Sequence, residues 1–270
     1  MTNTLSIPIL DMMGNLGQVV EGTEMFTVDI DQLTVSPVDA ADLGDHVLTE
    51  NDGTAEVTIN DNDATTISLI SSVDNTTEEG DVMTFTIESV LEFDKDVTVQ
   101  INTVDNTALA GSTNDYTALV GTLITIPAGT KEGVITTATI ENTIVEGTED
   151  FSAGISGLSV GSGDGYDAAI NVAAATATYT VTDDDATTIS IVSATLSEDG
   201  GNMNIGIVSD SGLKFDKDVT VTVALTPGSA TAADYGTLSS TTITLPLTST
   251  TGFVTLPIID DLIVDGDEAF

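Results

Sequence analysis

The chain has 270 residues, and its 44 acidic residues against four lysines give a formal net charge of −40. Nucleic acids and anionic membrane surfaces are disfavoured as partners, because both are bound by clustered Lys and Arg. Intrinsic disorder often accompanies such charge, but 40% of the residues are hydrophobic and they alternate with Thr and Ser as β-strands do.

The first 63 residues predict short strands separated by loops. An apolar run at Leu5–Asp11 and the alternation within Val20–Ile30 each indicate a strand. Residues 31–53 are rich in Asp, Gly and Pro, which indicates a long loop. Alternation from Thr54 to Ile59 predicts another strand, which leads into the acidic string Asn60–Asp63.

Residues 64–185 predict an antiparallel β-sandwich. Seven short alternating runs occur there, at Thr66–Ile70, Val82–Ile87, Val97–Ile101, Leu123–Ile126, Val134–Ile140, Phe151–Ile155 and Ala173–Val181. Turn residues separate them and no helical period is evident, which favours two packed sheets. The Ala content of residues 169–178 would also suit a helix, but Thr alternates there, so we predict a strand.

Two strings occur twice at an equal separation. Asn60–Ser68 is nearly repeated by Thr182–Ser190, and Phe93–Val99 is repeated by Phe215–Val221, both 122 residues further along. One offset at two separate places predicts a tandem repeat of about one domain length.

The phase of this repeat divides the chain into three parts. We expect residues 1–63 to be the C-terminal part of a first repeat, residues 64–185 to be a complete second repeat, and residues 186–270 to be the N-terminal part of a third. Half-sandwiches expose sheet edges. The chain is therefore predicted to be either a piece of a longer protein or one whose copies complete each other in a head-to-tail filament.

The duplicated acidic junctions Asp61–Asp63 and Asp183–Asp185 lie between strand-like runs. Three consecutive acid or amide side chains repel one another, and the chain has few cations, so a metal ion is expected at a joint between domains. Calcium takes six to eight oxygen ligands, whereas magnesium requires a stricter octahedron. One His and no Cys serve softer metals poorly. The alternative is that each junction is a solvated turn.

Three motifs, one of which is this junction, recur and together cover nearly the whole chain. They are acidic-Gly-x-acidic-x-Phe at Glu21–Phe26, Glu146–Phe151 and Asp265–Phe270, Asp-Tyr at Asp115–Tyr116 and Asp234–Tyr235, and the closing Asp-x-Asp already described. In combination they resemble Calx-beta repeats, which occur in sodium–calcium exchanger regulatory loops and in large bacterial surface proteins. The resemblance implies a calcium-binding, Greek-key, immunoglobulin-like sandwich with Ca²⁺ as its cofactor.

The resemblance also implies a set of calcium ligands in each repeat. In the second repeat they fall on Glu78, Asp115, Glu141, Asn142, Glu146, Asp183, Asp184 and Asp185. In the third they fall on Glu198, Asp234, Asp260, Asp261 and Asp265, and in the first on Asp11, Glu21, Asp61, Asn62 and Asp63. The pair Glu141–Asn142 stands where the third repeat has two Asp residues, which would weaken binding of one ion.

The predicted function is mechanical. We expect a non-enzymatic, calcium-binding repeat segment of an extracellular bacterial surface protein, adhesin or filament, in which calcium rigidifies the joints. Its partners would be neighbouring repeats or copies of the same chain, with no nucleic acid and no membrane insertion. The alternatives are a calcium-sensing regulatory module and an accessory domain of a secreted enzyme.

Two acidic features also have interpretations other than metal binding. The pair Glu78 and Glu79 could act as glycosidase-type carboxylates, but no aromatic sugar platform accompanies it. The strings Asp94–Asp96 and Asp216–Asp218 are predicted to be exposed charges at strand edges.

Overall fold

A computed structural model of the chain describes residues 4–10, 13–14, 17–31, 53–70, 75–111, 114–160, 169–199, 201–262 and 266–269. The elements that these residues form are all β-strands. Within the same ranges, no helix has the length and apolarity needed to cross a membrane.

In residues 1–63, which are predicted to belong to a first repeat, the described part of the chain forms four strands. They are β1 (Met13–Gly14), β2 (Gly17–Val20), β3 (Glu24–Asp29) and β4 (Thr54–Ile59). Strands β3 and β4 pair antiparallel, with Phe26 opposite Val57. The strand predicted from Leu5 is not present, because residues 4–10 pair with no described strand, and Leu5 is 74% exposed. Asp11, at the end of that run, lies outside the described residues.

The second repeat is the predicted antiparallel sandwich. Its strands are β5 (Thr65–Leu69), β6 (Thr76–Glu78), β7 (Val82–Ser89), β8 (Glu92–Phe93), β9 (Val97–Asp105), β10 (Thr122–Ile126), β11 (Glu132–Ala138), β12 (Ile144–Val145), β13 (Glu149–Ser159), β14 (Ile170–Val172) and β15 (Thr176–Thr182). One sheet has the order β10-β9-β13-β15-β6 and the other the order β11-β7-β5-β14. The seven predicted strands correspond to β5, β7, β9, β10, β11, β13 and β15.

The segment predicted as one strand at Ala173–Val181 is divided between the two sheets. Strand β14 pairs parallel with β5, whereas β15 lies in the other sheet between β13 and β6. Three-residue strands such as β6 and β14 are too short to show a period of two, so the alternation of side chains did not reveal them.

The core of the second repeat is built on aromatic side chains. The rings of Tyr116 and Phe151 stack with centroids 3.9 Å apart, and Phe85 and Tyr179 pack at 4.5 Å. All four side chains are almost completely buried. The Tyr116 hydroxyl donates a 2.6 Å hydrogen bond to Asp105, which satisfies its polar end. This packing holds the loop around Tyr116 against strand β13.

The third repeat has the same order of strands and a smaller core. Its strands are β16 (Ile189–Val192), β17 (Gly201–Ser209), β18 (Lys214–Phe215), β19 (Val219–Thr222), β20 (Thr242–Leu245) and β21 (Thr251–Ile258). Strands β16, β17 and β21 form one sheet, and β19 pairs with β20. Buried apolar side chains such as Ile207, Ile243 and Leu245 pack between them.

Two short parallel strand pairs connect the repeats. At the first joint β2 pairs with β8, with Val20 opposite Phe93. At the second joint β12 pairs with β18, with Val145 opposite Phe215. In each case the Phe side chain is buried and the Val packs against the same cluster. Each joint therefore combines backbone hydrogen bonds with a hydrophobic contact between successive repeats.

Candidate metal centre

Backbone hydrogen bonds bring distant acidic loops of the second repeat together at one end of the sandwich. The Glu79 amide donates to the Thr182 carbonyl at 3.0 Å, just before the closing acidic triplet. The Ile140 amide donates to the Asp115 carbonyl at 3.0 Å. Loops that are far apart in the sequence therefore place their carboxylates in one region.

Three of these carboxylates form a close cluster, which we call the second site. Oxygens of Glu79, Asp115 and Glu146 lie within 4.8 Å of one another. Glu79 and Asp115 are both 6% exposed. The Asn142 side-chain amide lies 3.1 Å from Glu79 Oε1 and 3.3 Å from Glu146 Oε2. Glu79 Oε2 is buried without a hydrogen-bond donor, which leaves a place for a cation.

The raised pKa values of the acids in and beside this cluster indicate that a positive charge would be favourable there. Burial, reinforced by the neighbouring Glu146 carboxylate, raises the pKa of Glu79 to about 8. Burial, followed by the charge of Asp115, raises the pKa of Glu149 to about 7. Burial also raises the pKa of Glu146. Like charges at close range disfavour ionisation, and a bound divalent cation would reverse that effect.

The closing triplet of the second repeat joins the same region. Asp183 Oδ2 accepts the Glu146 amide at 2.7 Å, and Asp183 Oδ1 accepts the Asp185 amide at 2.9 Å. Asp185 Oδ2 is buried without a partner, and burial followed by the charge of Asp183 raises its pKa. Asp184 between them is exposed. The outer two residues therefore face the protein and the middle one faces solvent.

The first repeat reproduces this clamp. Asp61 Oδ2 accepts the Glu21 amide at 2.9 Å, and Asp61 Oδ1 accepts the Asp63 amide at 3.0 Å. Asp63 is buried and also accepts a 2.9 Å hydrogen bond from Gln18. Asn62 is exposed, as Asp184 is. The two acidic junctions thus have one hydrogen-bonding geometry.

The third repeat holds a second cluster, which we call the third site. Oxygens of Glu198, Asp234 and Asp261 lie within 4.8 Å of one another, and all three residues are half-buried. Hydrogen bonds from the backbone and hydroxyl of Thr231 lower the pKa of Asp234. Asp260 is exposed.

The structure places several predicted ligands elsewhere. Glu78 is exposed, and its backbone carbonyl accepts a 2.8 Å hydrogen bond from Thr139. Glu141 is also exposed and lies over Gly80, whose φ of +74° suits a residue without a Cβ. Asp265 is outside the described residues.

Two acidic residues, one in the second site and one beside it, were not among the predicted ligands. Glu79 takes the position that Glu198 takes in the third repeat, at the same separation that relates Asp115 to Asp234. Because both separations can be read from the sequence, Glu79 could have been predicted as a ligand from the sequence alone. Glu149 belongs to the acidic-Gly-x-acidic-x-Phe motif, and only the folded structure brings it near Asp115.

The comparison with protein families agrees with this geometry. The Calx-beta domain model matches residues 60–185 and again residues 182–270. The chain belongs to the Calx-beta family. No curated protein sequence matches it.

Several solved structures resemble this Calx-beta chain. The apo-form Calx CBD1 domain is 19% identical, with 46% of this chain and 100% of that chain covered and a TM-score of 0.36. CBD12 from CALX1.2 is 19% identical, with 74% and 77% covered and a TM-score of 0.36. The calcium binding domain CBD12 of CALX1.1 is 15% identical, with 73% and 76% covered and a TM-score of 0.33. At these identities the likeness concerns the fold alone.

The second site of this Calx-beta chain fits calcium in its chemistry. Calx-beta domains are calcium-binding modules. The donor atoms gathered at the site are oxygens, which calcium prefers. Glu79 Oε2 and Asp185 Oδ2 are both buried acceptors without donors, and such groups normally have a partner. The residues that would hold the ion at the second site are Glu79, Asp115 and Glu146.

Proposed function

We propose that the chain binds calcium at the acidic ends of its sandwiches, and that the ion rigidifies a rod of tandem repeats. One observation carries this proposal: the second site is continuous with the second joint. Glu146 follows Val145 directly, and Val145 pairs with Phe215 of the third repeat. An ion held by Glu146 would therefore restrain the strand that joins the two repeats.

Charge and concentration favour an extracellular, structural role. A net charge of −40 opposes compaction unless counter-ions bind. Extracellular calcium-binding modules have dissociation constants of roughly 10⁻⁴–10⁻³ M for the ion. The carboxylates at the ends of the sandwiches would form sites of this kind. We therefore propose a non-enzymatic segment of a bacterial surface protein, adhesin or filament.

Calcium titration with matched controls tests the proposed function. Isothermal titration calorimetry should give saturable calcium binding, and Glu79→Gln should remove binding at the second site. Magnesium at the same ionic strength serves as the control cation. Absence of calcium binding in the intact chain, or identical heats for the two metals, would contradict the proposal.

A calcium sensor is the second candidate, because a site that is continuous with a joint can also set the angle between repeats. The dissociation constant separates the two candidates, since a sensor requires roughly 10⁻⁷–10⁻⁵ M. Small-angle scattering across that concentration range would reveal a change of shape at low calcium if the chain is a sensor. A change only at millimolar calcium supports the structural role.

Copies of the same chain, or neighbouring repeats, are the proposed partners. In the second repeat β13 pairs with β9 over eight residue pairs. Strand β3 corresponds to β13 and β19 corresponds to β9, yet among the described strands β3 pairs only with β4 and β19 only with β20. These edges suit each other in a head-to-tail arrangement. Electron microscopy in millimolar calcium should then show filaments, whereas monodisperse monomers would exclude them.

A further inference from the structure

Two of the four lysines of the chain occupy the same position at its two joints. Lys95 and Lys217 each follow the Phe-Asp pair of the duplicated string. Lys217 Nζ lies 2.6 Å from Asp216 Oδ2, and the Lys217 side chain is 72% exposed whereas that of Asp216 is 23% exposed. Because the chain has only four lysines, the presence of one beside each joint indicates an electrostatic role at this position.

The second joint places this Asp–Lys pair beside the second site. Val145 is opposite Phe215, so the next residues along the two parallel strands are Glu146 and Asp216. The Asp216 amide reaches the Val145 carbonyl at 3.4 Å. The third repeat therefore presents Asp216 and Lys217 to the carboxylates of the second repeat. Lys217 and Asp218 are exposed as predicted, whereas Asp216 is half-buried.

The electrostatic interactions cross the same joint. The hydrogen bond and the charge of Asp216 stabilise the ammonium group of Lys217 and raise its pKa. The charges of Glu149 and Glu146, across the joint, add to this rise. In return, the charge of Lys217 partly opposes the rise in the pKa of Glu149 that burial causes. The negative charge of Asp216, by contrast, contributes to the raised pKa of Glu146.

We propose that Lys217 is a tethered counter-ion of the calcium-free second site, and that calcium binding displaces it and turns Asp216 toward the ion as a carboxylate donated by the next repeat. This inference rests on the proposed calcium binding. An exposed salt bridge has little net stability, so a divalent ion can replace Lys217 as the partner of Asp216. The exchange makes calcium binding in one repeat depend on a residue of the next.

The first joint repeats this geometry independently. Val20 is opposite Phe93, and the Asp94 amide reaches the Val20 carbonyl at 3.3 Å, as the Asp216 amide reaches Val145. Glu21 follows Val20 as Glu146 follows Val145. Two joints built from different residues therefore share one placement of the Asp-Lys string.

The main test is Lys217→Gln in the intact chain. The amide of Gly147, next to Glu146, reports calcium binding at the second site in nitrogen-proton correlation spectra. The variant should bind calcium roughly twofold to fivefold more tightly at low salt, because a competing charge is removed. The gain should shrink in about 0.5 M salt, where the Debye length is only a few ångströms.

Two further variants make the test decisive. Lys131→Gln makes the same change of charge at a lysine whose Nζ donates to the Val90 carbonyl at 2.7 Å, on the side of the first joint, and it should not alter the Gly147 titration. Asp216→Asn should weaken calcium binding at Gly147 severalfold. Equal effects of the two lysine variants, or unchanged binding in Asp216→Asn, overturn the exchange. Absence of calcium binding in the unaltered chain overturns the proposed function instead.

Discussion

The second and third sites share one pattern of acids but differ in their electrostatic state. In the second site burial raises the pKa of Glu79 to about 8. In the third site hydrogen bonds from Thr231 lower the pKa of Asp234. Glu79 therefore favours protonation in the second site, whereas Asp234 favours ionisation in the third. The environment, rather than the motif, decides which charge state the metal ion meets.

The difference comes from the packing beneath the loops. In the second repeat Tyr116 forms a backbone β-bridge with Thr139. Its ring stacks on Phe151, and the residue is only 1% exposed. Tyr235 makes the corresponding bridge to Ile258 but is only half-buried. An equivalent backbone thus carries a dry site in one repeat and a wetter site in the other.

The largest expected effect comes from removing the aromatic support of the second site. Phe151→Ala should destabilise the second repeat by about 3–5 kcal/mol, because a buried aromatic ring leaves a cavity. Calcium binding at the second site should be lost with it, while the third site keeps its own. Chemical denaturation and calcium titration measure the two effects. Equal loss at both sites would show that their supports are not separate.

Removing calcium should have the next largest effect. An ion that binds only the folded state adds about 2.7 kcal/mol per site at a hundredfold excess over the dissociation constant. Hydrogen exchange with calcium and with chelator should show a larger loss of protection in β13 than in β21, because the second site has the more buried ligands. Equal midpoints of thermal unfolding at matched ionic strength would contradict calcium-dependent stability.

The closing triplet should affect the joint more than the fold. Replacing Asp183 and Asp185 by Asn removes two charges and keeps their size, so each sandwich should stay folded while the second joint becomes a hinge. The matched change at Asp61 and Asp63 should loosen the first joint instead. Small-angle scattering in saturating calcium measures the maximum dimension, and an unchanged value would mean that the triplet does not stiffen the joint.

The smallest expected effect is a difference in pH dependence. In Glu79 and Glu149 the folded pKa values of about 8 and about 7 lie above the usual carboxyl range. Their stabilisation of the calcium-free fold is therefore complete below the ordinary carboxyl pKa of 4.5, decreases as the pH rises above it, and is fully lost once the pH passes the folded values of about 7 and about 8. Calcium must displace those protons, so its affinity at the second site should increase over that range.

The third site should lack this dependence near neutral pH. Because the pKa of Asp234 is lowered, its contribution to stability is present above the usual carboxyl range and is lost only in acid. Calorimetry in buffers of different ionisation enthalpy counts the protons released on calcium binding. Glu79→Gln should reduce that count, and Asp234→Asn should not. Equal proton release from the two variants would remove the distinction between the sites.

The amino-acid sequence by itself determined the fold class and the repeat. Alternation of apolar and polar residues predicts strands whatever their partners are, because the side-chain period of a strand is two. The duplicated strings revealed the tandem arrangement, and the recurring acidic motifs indicated oxygen ligands at the ends of the strands. The structure brings Asp115, Glu146 and Asp183, which these local patterns singled out, into one region of the second repeat.

Only the tertiary structure decided which acids meet and how the repeats are connected. Glu78 ends strand β6 and faces solvent, whereas its neighbour Glu79 is buried in the site, and a shift of one residue reverses the face of a strand. The joints depend on pairs only two residues long between segments about 70 residues apart. Such contacts leave no period in the sequence, because they exist only when two separate domains meet.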